Sequence, residues 1–450
     1  MEYVRCEDGK QASGEVAAAL GQRLAGYLAP VLQRLDATID QRLVRTFFAL
    51  VEVIIQFRHQ SYGLLLSELG GYLVDPEHAP AGTKRLSNLL RCRKWSHQVI
   101  EQFLWAQAAQ RLTALTAAGE EGLVLWDESE WEKPESLKLE GLCAVRSSKA
   151  RRLTCIKPGY YTPPGKPIFV PGLHWLGVLL AGRTGPPDLA ALRWWTTRGK
   201  YATDKRSVEV QLLTHLVQQW GQRVIHLFDR GFAGEPWLTH LAAHEVRFVM
   251  RWPAHYKLTD AQGLSRKAWQ IARGKRSWGQ QQVWDTRRRC FRKVGILALP
   301  VTHPACPQPL WLVLSRPGKG RSPWYLLTNE PSATLSEATP VVLAYARRWQ
   351  IEMAWRFNKS ELAFQSPRLW SWDNRLKLLG IATLAFAFLL SLLRTEDAPL
   401  RTWLLRFWCH RTGKRCQEAS APLYRLRSAL SRLWLAFQPP PLAFTWRNSG

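Results

Sequence analysis

Tyr345, Arg348, Glu352, Arg356 and Lys359 are spaced so that a helix turning ~100° per residue gathers them within ~80° of one face. Around them stand Ala344, Ala346, Trp349, Ile351, Met353, Ala354, Trp355 and Phe357, all apolar. A helix that is apolar on most sides is mostly buried, so its one polar stripe must face a site or a cleft. The stripe carries one carboxylate, three cations and a phenol. The carboxylate can ligate a metal ion, and cations along the same line can hold phosphates. The plainer alternative is a solvated face laced by Arg348–Glu352 and Glu352–Arg356 pairs.

Two more carboxylates bear on that choice. GLVLWDESEW, beginning at Gly122, is a short apolar run that ends in Asp127, with Glu128 and Glu130 close behind. RVIHLFDRGFAG is a second apolar run that ends in Asp229, followed by a Gly turn and a helix start near Glu235 or Pro236. In open α/β sheets, sites form at the carboxyl ends of strands, which sets Asp127 and Asp229 where one shared site would lie. Three acids converging in a basic protein suit the holding of two Mg²⁺ ions at a phosphodiester. One activates the attacking oxygen and the other stabilises the leaving oxygen.

The elements that must position these residues are set by the rest of the chain. It has 450 residues, enough for two to four domains, and a net charge of +27 that calls for a polyanionic partner, nucleic acid before anionic membrane. The 23 Trp residues supply core bulk and, beside Arg and Lys, stacking surfaces for bases. The eight cysteines are scattered without a C-x-x-C pair, and Cys409-His410 with Cys416 lacks the partners of a zinc site. The first residues, MEYVRCEDGK, hold no apolar signal core, so the thiols are expected reduced in the cytoplasm. Leu378 to Leu393 is uncharged but shorter than the ~18–20 residues of a spanning helix, and reads as a buried core helix.

Residues 14 to 118 carry apolar residues at three and four spacings and read as all helix. Lys84, Arg85, Arg91, Arg93 and Lys94 gather between two short amphipathic pieces, and Ser96 is placed to cap the second. That arrangement suits a helix-turn-helix-like DNA reader. After Gly122 come strand-like runs near 153–156, 168–181 and 191–196, then a helix in SVEVQLLTHLVQQWG. Residues 251 to 332 are different. Ten Lys or Arg from Arg266 to Lys293 face one acid, Asp285, and the strand candidates CFRKVGILAL, LWLVLSR and WYLLTNE follow. This reads as a basic β insertion. Helical text returns through the polar stripe, and the last fifty residues read as a helix and a Pro-rich tail.

Tyr345, Arg348, Glu352 and Lys359 match the Y-x2-R-x3-E-x6-K signature, and on these residues the chain resembles the bacterial insertion-sequence transposases of the DDE type. Asp127 and Asp229 fall where that family carries its first and second Asp. WYLLTNEP resembles the end of the family's β insertion, and DNRLKLLGIATLAFAFLLSLL resembles the helix that packs on its sheet. The resemblance runs over roughly residues 80 to 395. It implies a ribonuclease-H-like α/β core with a β-strand insertion, preceded by an all-helical DNA-binding domain. The implied division is 1–118 helical DNA-binding domain, 119–250 first part of the core, 251–332 basic insertion, 333–397 second part with the Glu helix, and 398–450 helical region and tail.

The same resemblance implies the roles. Asp127, Asp229 and Glu352 would be catalytic and ligate Mg²⁺, with Mn²⁺ as a substitute. Tyr345, Arg348 and Lys359 would bind terminal phosphates, and Trp324 would stack on a base flipped out at the transposon end. Arg356 joins them by helix geometry, and Arg230 would touch backbone. The implied activity is cut-and-paste transposition at the element's own terminal inverted repeats, through a hairpin, by a homodimer synapsing transposon ends and target DNA at the nucleoid. The rivals are a repressor derived from a transposase, which would have no use for three acids facing phosphates, and a cleavage-only nuclease of the same fold.

Overall fold

A computed structural model describes residues 2–58, 61–136, 138–148, 150, 165–285, 290–318, 322–409 and 423–440 of the chain. The expected strand near 153–156, Cys416, and three of the insertion's cations, Arg287, Arg288 and Arg289, lie outside the described residues.

The periodic text of the first 118 residues folds as five helices: α1 (Glu2–Asp36), α2 (Gln41–Gln56), α3 (Leu66–Leu73), α4 (Ala79–Arg91) and α5 (Gln98–Ala117). α2 shows why. Val44, Phe47, Phe48, Val51, Ile54 and Ile55 recur at helical spacing and are buried, and Asp40 caps the start by accepting the Arg42 N–H at 2.8 Å. Ser96 does not cap α5. His97 stands at that position without a side-chain bond, and Ser96 instead offers its carbonyl to the Val99 N–H.

A mixed sheet follows. β1 (Gly122–Glu132) pairs antiparallel with β3 (Phe169–Ala181), which pairs antiparallel with β4 (Asp188–Trp195) and, at its start, with β2 (Cys143–Arg146). On its other side β1 runs parallel to β5 (Val224–Phe228), and β5 runs parallel to β6 (Phe248–Arg251). The order β4-β3-β1-β5-β6, three antiparallel strands then two parallel ones, is the ribonuclease-H-like core. α6 (Lys205–Trp220) and α7 (Glu235–Ala243) cover one face of it.

The basic insertion continues this sheet. After the small hairpin of β7 (Lys257–Thr259) and β8 (Ser265–Lys267) and the short α8 (Ala268–Ala272) come β9 (Gly279–Asp285), β10 (Cys290–His303), β11 (Cys306–Arg316) and β12 (Trp324–Thr328). β12 pairs antiparallel with β6, so the inserted strands extend the core to a twelve-stranded sheet.

The remaining helices are α9 (Leu335–Arg347), α10 (Trp349–Ser360), α11 (Trp372–Ser391), α12 (Ala398–Phe407) and α13 (Leu423–Ala436). They pack with α1, α2, α4 and α5 on the second face of the sheet. Alternate strand residues divide between the faces as the pleat requires: Leu123 and Leu125 of β1 join this side, Val124 and Trp126 the other. The core on this side is continuous from Ala17 of α1 to Trp434 of α13. α11 is long and apolar enough to cross a membrane by length and composition alone, and 89% of its apolar window is buried inside the protein.

Candidate active site

β1 does not end at Asp127, as its apolar run suggests. It continues to Glu132, with Asp127 opposite Gly177 of β3. What ends there is the parallel pairing with β5, whose last pair is Leu125 with Leu227. Asp127 therefore lies just beyond the carboxyl end of its parallel neighbour. Asp229 follows β5 directly and opens a single 3₁₀ turn over Arg230–Phe232, its Oδ1 accepting the Gly231 N–H at 2.7 Å.

The third acid comes from the far side of the sequence. The polar stripe does not lie on one unbroken helix. α9 ends at Arg347, α10 begins at Trp349, and Arg348 is the junction. There the Arg348 N–H bonds the Tyr345 carbonyl and the Ile351 N–H bonds the Arg348 carbonyl, three residues back in each case rather than four. Neither Gly nor Pro marks this break. Glu352 sits in the first turn of α10, and Lys359 in the last. Gly177 fixes the helix against the sheet: a Cβ on it would lie 2.1 Å from the Trp355 ring, so only glycine lets this indole dock opposite Asp127. Trp355 also packs on Trp175 at 5.1 Å between ring centroids.

Arg348 ties the acids together. Its guanidinium is ion-paired with Glu352, and its Nη1 lies 3.8 Å from Asp127 Oδ1. Burial pushes the Asp127 carboxyl well above the ordinary carboxylate range, Arg348 opposes the shift, and Asp229 and Glu352 add to it. The three carboxylates thus share one electrostatic neighbourhood. Burial also pulls Arg348 down, but Tyr345, Glu352, Asp127 and Asp229 together hold its charge firmly in place.

Tyr345 belongs to the same electrostatic neighbourhood. Tyr345 is buried, with its hydroxyl raised by burial and felt by Arg348, Arg251 and Asp229. Its ring meets Trp324 edge-on at 5.2 Å. Trp324, at the start of β12, is half-buried, and the Arg251 guanidinium lies 5.7 Å from its ring centroid. Lys359 Nζ donates to Ser129 Oγ at 2.7 Å and lies 5.7 Å from the Trp175 ring. Arg356 and Arg230 are exposed. Lys84, Arg85, Arg91, Arg93 and Lys94 are also exposed, on α4 and the connection to α5, apart from this cluster.

Sequence reading missed two neighbours. Arg251 ends β6, and a cation closing the apolar run FVM was the available signal. Lys205 opens α6 and is ion-paired with Glu128, which turns that acid toward α6 and leaves Asp127 as the β1 acid paired with Arg348. Nothing in the text around Lys205 marks it.

The donor set of Asp127, Asp229 and Glu352 is entirely carboxylate oxygen, the chemistry that hard divalent cations take. Among the described residues no three His, Cys, Asp or Glu side chains stand together as a ready metal cluster, and the positive charge between Asp127 and Glu352 is that of Arg348. The set fits a divalent ion by chemistry, with Arg348 as its present counter-charge.

Residues 200–387 match the family described as the transposase DDE domain. The matched span of the transposase domain takes in Asp229, Trp324, Tyr345, Arg348, Glu352 and Lys359 and begins after Asp127. The match supports a DDE transposase, a class that works with divalent metal ions. No curated protein matches the chain. Among solved structures the chain is similar to a piggyBac transposase synaptic complex with hairpin DNA, determined by cryo-EM. The TM-score is 0.41 and the identity 14%, over 90% of this chain and 74% of that one.

Proposed function

We propose that the protein is a cut-and-paste DNA transposase that binds the terminal inverted repeats of its own insertion sequence. The observation that carries the reading is the shared field of Asp127, Asp229 and Glu352 around one buried arginine, with Asp229, Arg348 and Glu352 inside the span that matches the transposase DDE domain and Asp127 before it. Asp127, Asp229 and Glu352 would hold Mg²⁺, or Mn²⁺ in its place. Bound between these carboxylates, a divalent ion would supply polarisation of the phosphodiester and a lowered pKa for water. Arg348, Tyr345 and Lys359 hold the terminal phosphates, and Arg356 and Arg230, both exposed, meet the backbone further out. Water attacks at the element's end and leaves a 3′-OH. That hydroxyl then attacks the opposite strand to close a hairpin, or the target phosphate to join the element to it. Trp324 would hold the base that a tight hairpin extrudes. Lys84, Arg85, Arg91, Arg93 and Lys94 belong to end recognition, and a homodimer would bring two ends together at the nucleoid.

The test is cleavage and strand transfer on DNA carrying the inverted repeats that flank the gene. Glu352→Gln, Asp229→Asn and Asp127→Asn should each abolish cleavage with end binding retained, because affinity comes mainly from Lys and Arg at phosphates. Robust cleavage by Glu352→Gln would remove the assignment. Cleavage without strand transfer in the unaltered protein would make it a nuclease.

A further inference from the structure

The inserted strands carry an exposed aromatic surface of their own. β9 is an edge strand that pairs with β10 alone among the described strands. Trp278, just before it, and Gln280, Gln282 and Trp284 along it alternate and are all exposed, the two tryptophans to 44% each. Phe291, 65% exposed, stands opposite Trp284 in the ladder, and the two rings meet at 5.0 Å. Lys293 stands opposite Gln282 and is exposed, as are Lys275 and Arg276 just before Trp278. At ~3.4 Å per residue, Trp278 and Trp284 lie ~20 Å apart, a span of about six stacked nucleotides. Asp285 is the one acid between Ala261 and Arg316.

An exposed edge bearing large aromatics is a liability for aggregation, and proteins normally blunt it. Here the cations decide what covers it. Lys275, Arg276 and Lys293 disfavour a basic partner, although Trp284 also borders a hollow that holds Glu121, Glu330 and Glu337 with Arg183 and Arg347. Aromatic faces beside Lys and Arg match a strand whose bases are free to stack while its phosphates are neutralised. A paired duplex hides its base faces and would meet only the cations.

We propose that this face of the β9–β10 ribbon is a binding platform for unpaired DNA, with Trp278 and the Trp284–Phe291 pair stacking on bases and Lys275, Arg276 and Lys293 tracking the phosphates. The choice of DNA as partner rests on the transposase reading; the preference for an unpaired strand rests on the ribbon itself. It gives the protein a place for strand opened during end processing or target joining, separate from Trp324.

The experiment uses the full chain and compares oligothymidylate with a mixed-sequence duplex lacking the element's ends, by fluorescence anisotropy at fixed salt. Trp284→Ala with Phe291→Ala should weaken oligothymidylate binding about five- to a hundredfold and leave the duplex unchanged within about twofold. Trp284→Tyr should restore part of the loss. Both residues are exposed, so the unfolding temperature should barely move, and it is measured alongside. Asp229→Asn should bind oligothymidylate normally, so a failure of the catalytic assignment leaves this result standing. Unchanged oligothymidylate binding in the double variant would overturn the proposal, and loss of self-association in that variant would then mark the ribbon as a contact between copies. An equal loss on both DNAs would also overturn it, reducing the surface to charge alone.

Discussion

Arg348 is the residue on which the site turns. A buried guanidinium is tolerated only when its charge is answered, and Arg348, 7% exposed, is answered by Glu352 and Asp127. Trp324 poses a different question, because a half-buried indole against Tyr345 and Arg251 can serve packing or stacking. If it stacks on an extruded base, Trp324→Ala removes about 1–3 kcal/mol at the step that needs the distorted end. Nicking should then survive better than hairpin formation or strand transfer, and Trp324→Phe should recover part of the loss. If it is core, loss of about 3–5 kcal/mol of stability lowers expression and every step together. Step-resolved cleavage assays with a thermal melt separate the two. The positions of Asp229 and Glu352 were legible because each follows a local rule, an apolar run ending in an acid or a polar stripe on an apolar helix. Arg251 and Lys205 were not, since the place of one beside Trp324 and Tyr345 and of the other beside Glu128 depends on which strands and helices become neighbours.

At the scale of elements, α9 and α10 show what local pattern can miss. Their text reads as one helix, and the tightened turn at Arg348 is announced by no breaker residue. α10 is then held at its exit from several sides. The buried Arg427 of α13 donates to the Glu361 carbonyl and, at 2.5 Å, to the Ile54 carbonyl of α2, while Arg58 pairs with the Glu361 carboxylate at 2.6 Å. Lys133, at the end of β1, donates to the Gln365 carbonyl at 2.8 Å. α2, one of the braces, carries an ionisable group in the wrong solvent. Burial pushes the Glu52 carboxyl up to about 8, against about 4.3 in an unfolded chain. Between those values the folded protein keeps a proton that the unfolded chain has released. Glu52's contribution to stability is therefore complete below the unfolded value and is lost as pH rises through the folded one. The melting temperature should fall between about pH 5 and pH 9, and Glu52→Gln should flatten that fall and raise the melting temperature most at the alkaline end. An identical slope in the variant would mean that Glu52 ionises in the folded state without penalty.

At the scale of the whole molecule, composition and periodicity indicated helices first, then strands, then helices, and the elements follow in that broad succession along the chain, while the order of strands in the sheet was not indicated. What they could not indicate is that the pieces share one core. Leu24, Leu28, Val31 and Leu35 of α1 and Phe47, Val51 and Ile54 of α2 look in sequence like the core of a separate helical domain. They are buried in one continuous cluster with Leu384, Phe388 and Leu389 of α11 and Leu430 and Trp434 of α13, more than three hundred residues later in the chain. Bonds cross the same divide: Gln56 Nε2 donates to the Trp434 carbonyl at 3.0 Å, Arg23 pairs with Asp397, and Lys377 Nζ donates to the Leu90 and Cys92 carbonyls at 3.0 and 2.7 Å. A fragment of residues 1–118 would leave those apolar faces in water, at about 25 cal/mol for each Å² it fails to bury. It should therefore be helical without a cooperative melt and should bind a hydrophobic dye, as chains do when secondary structure outlasts packing. Adding residues 119–397 should not fully restore the transition, because α13 supplies part of the same core; the full chain should. Circular dichroism melts of the three lengths, run beside salt titrations of DNA binding, make the comparison. A sharp, two-state transition in the 1–118 fragment would show that its helices close their own core and that the shared packing is a docking contact between independent units.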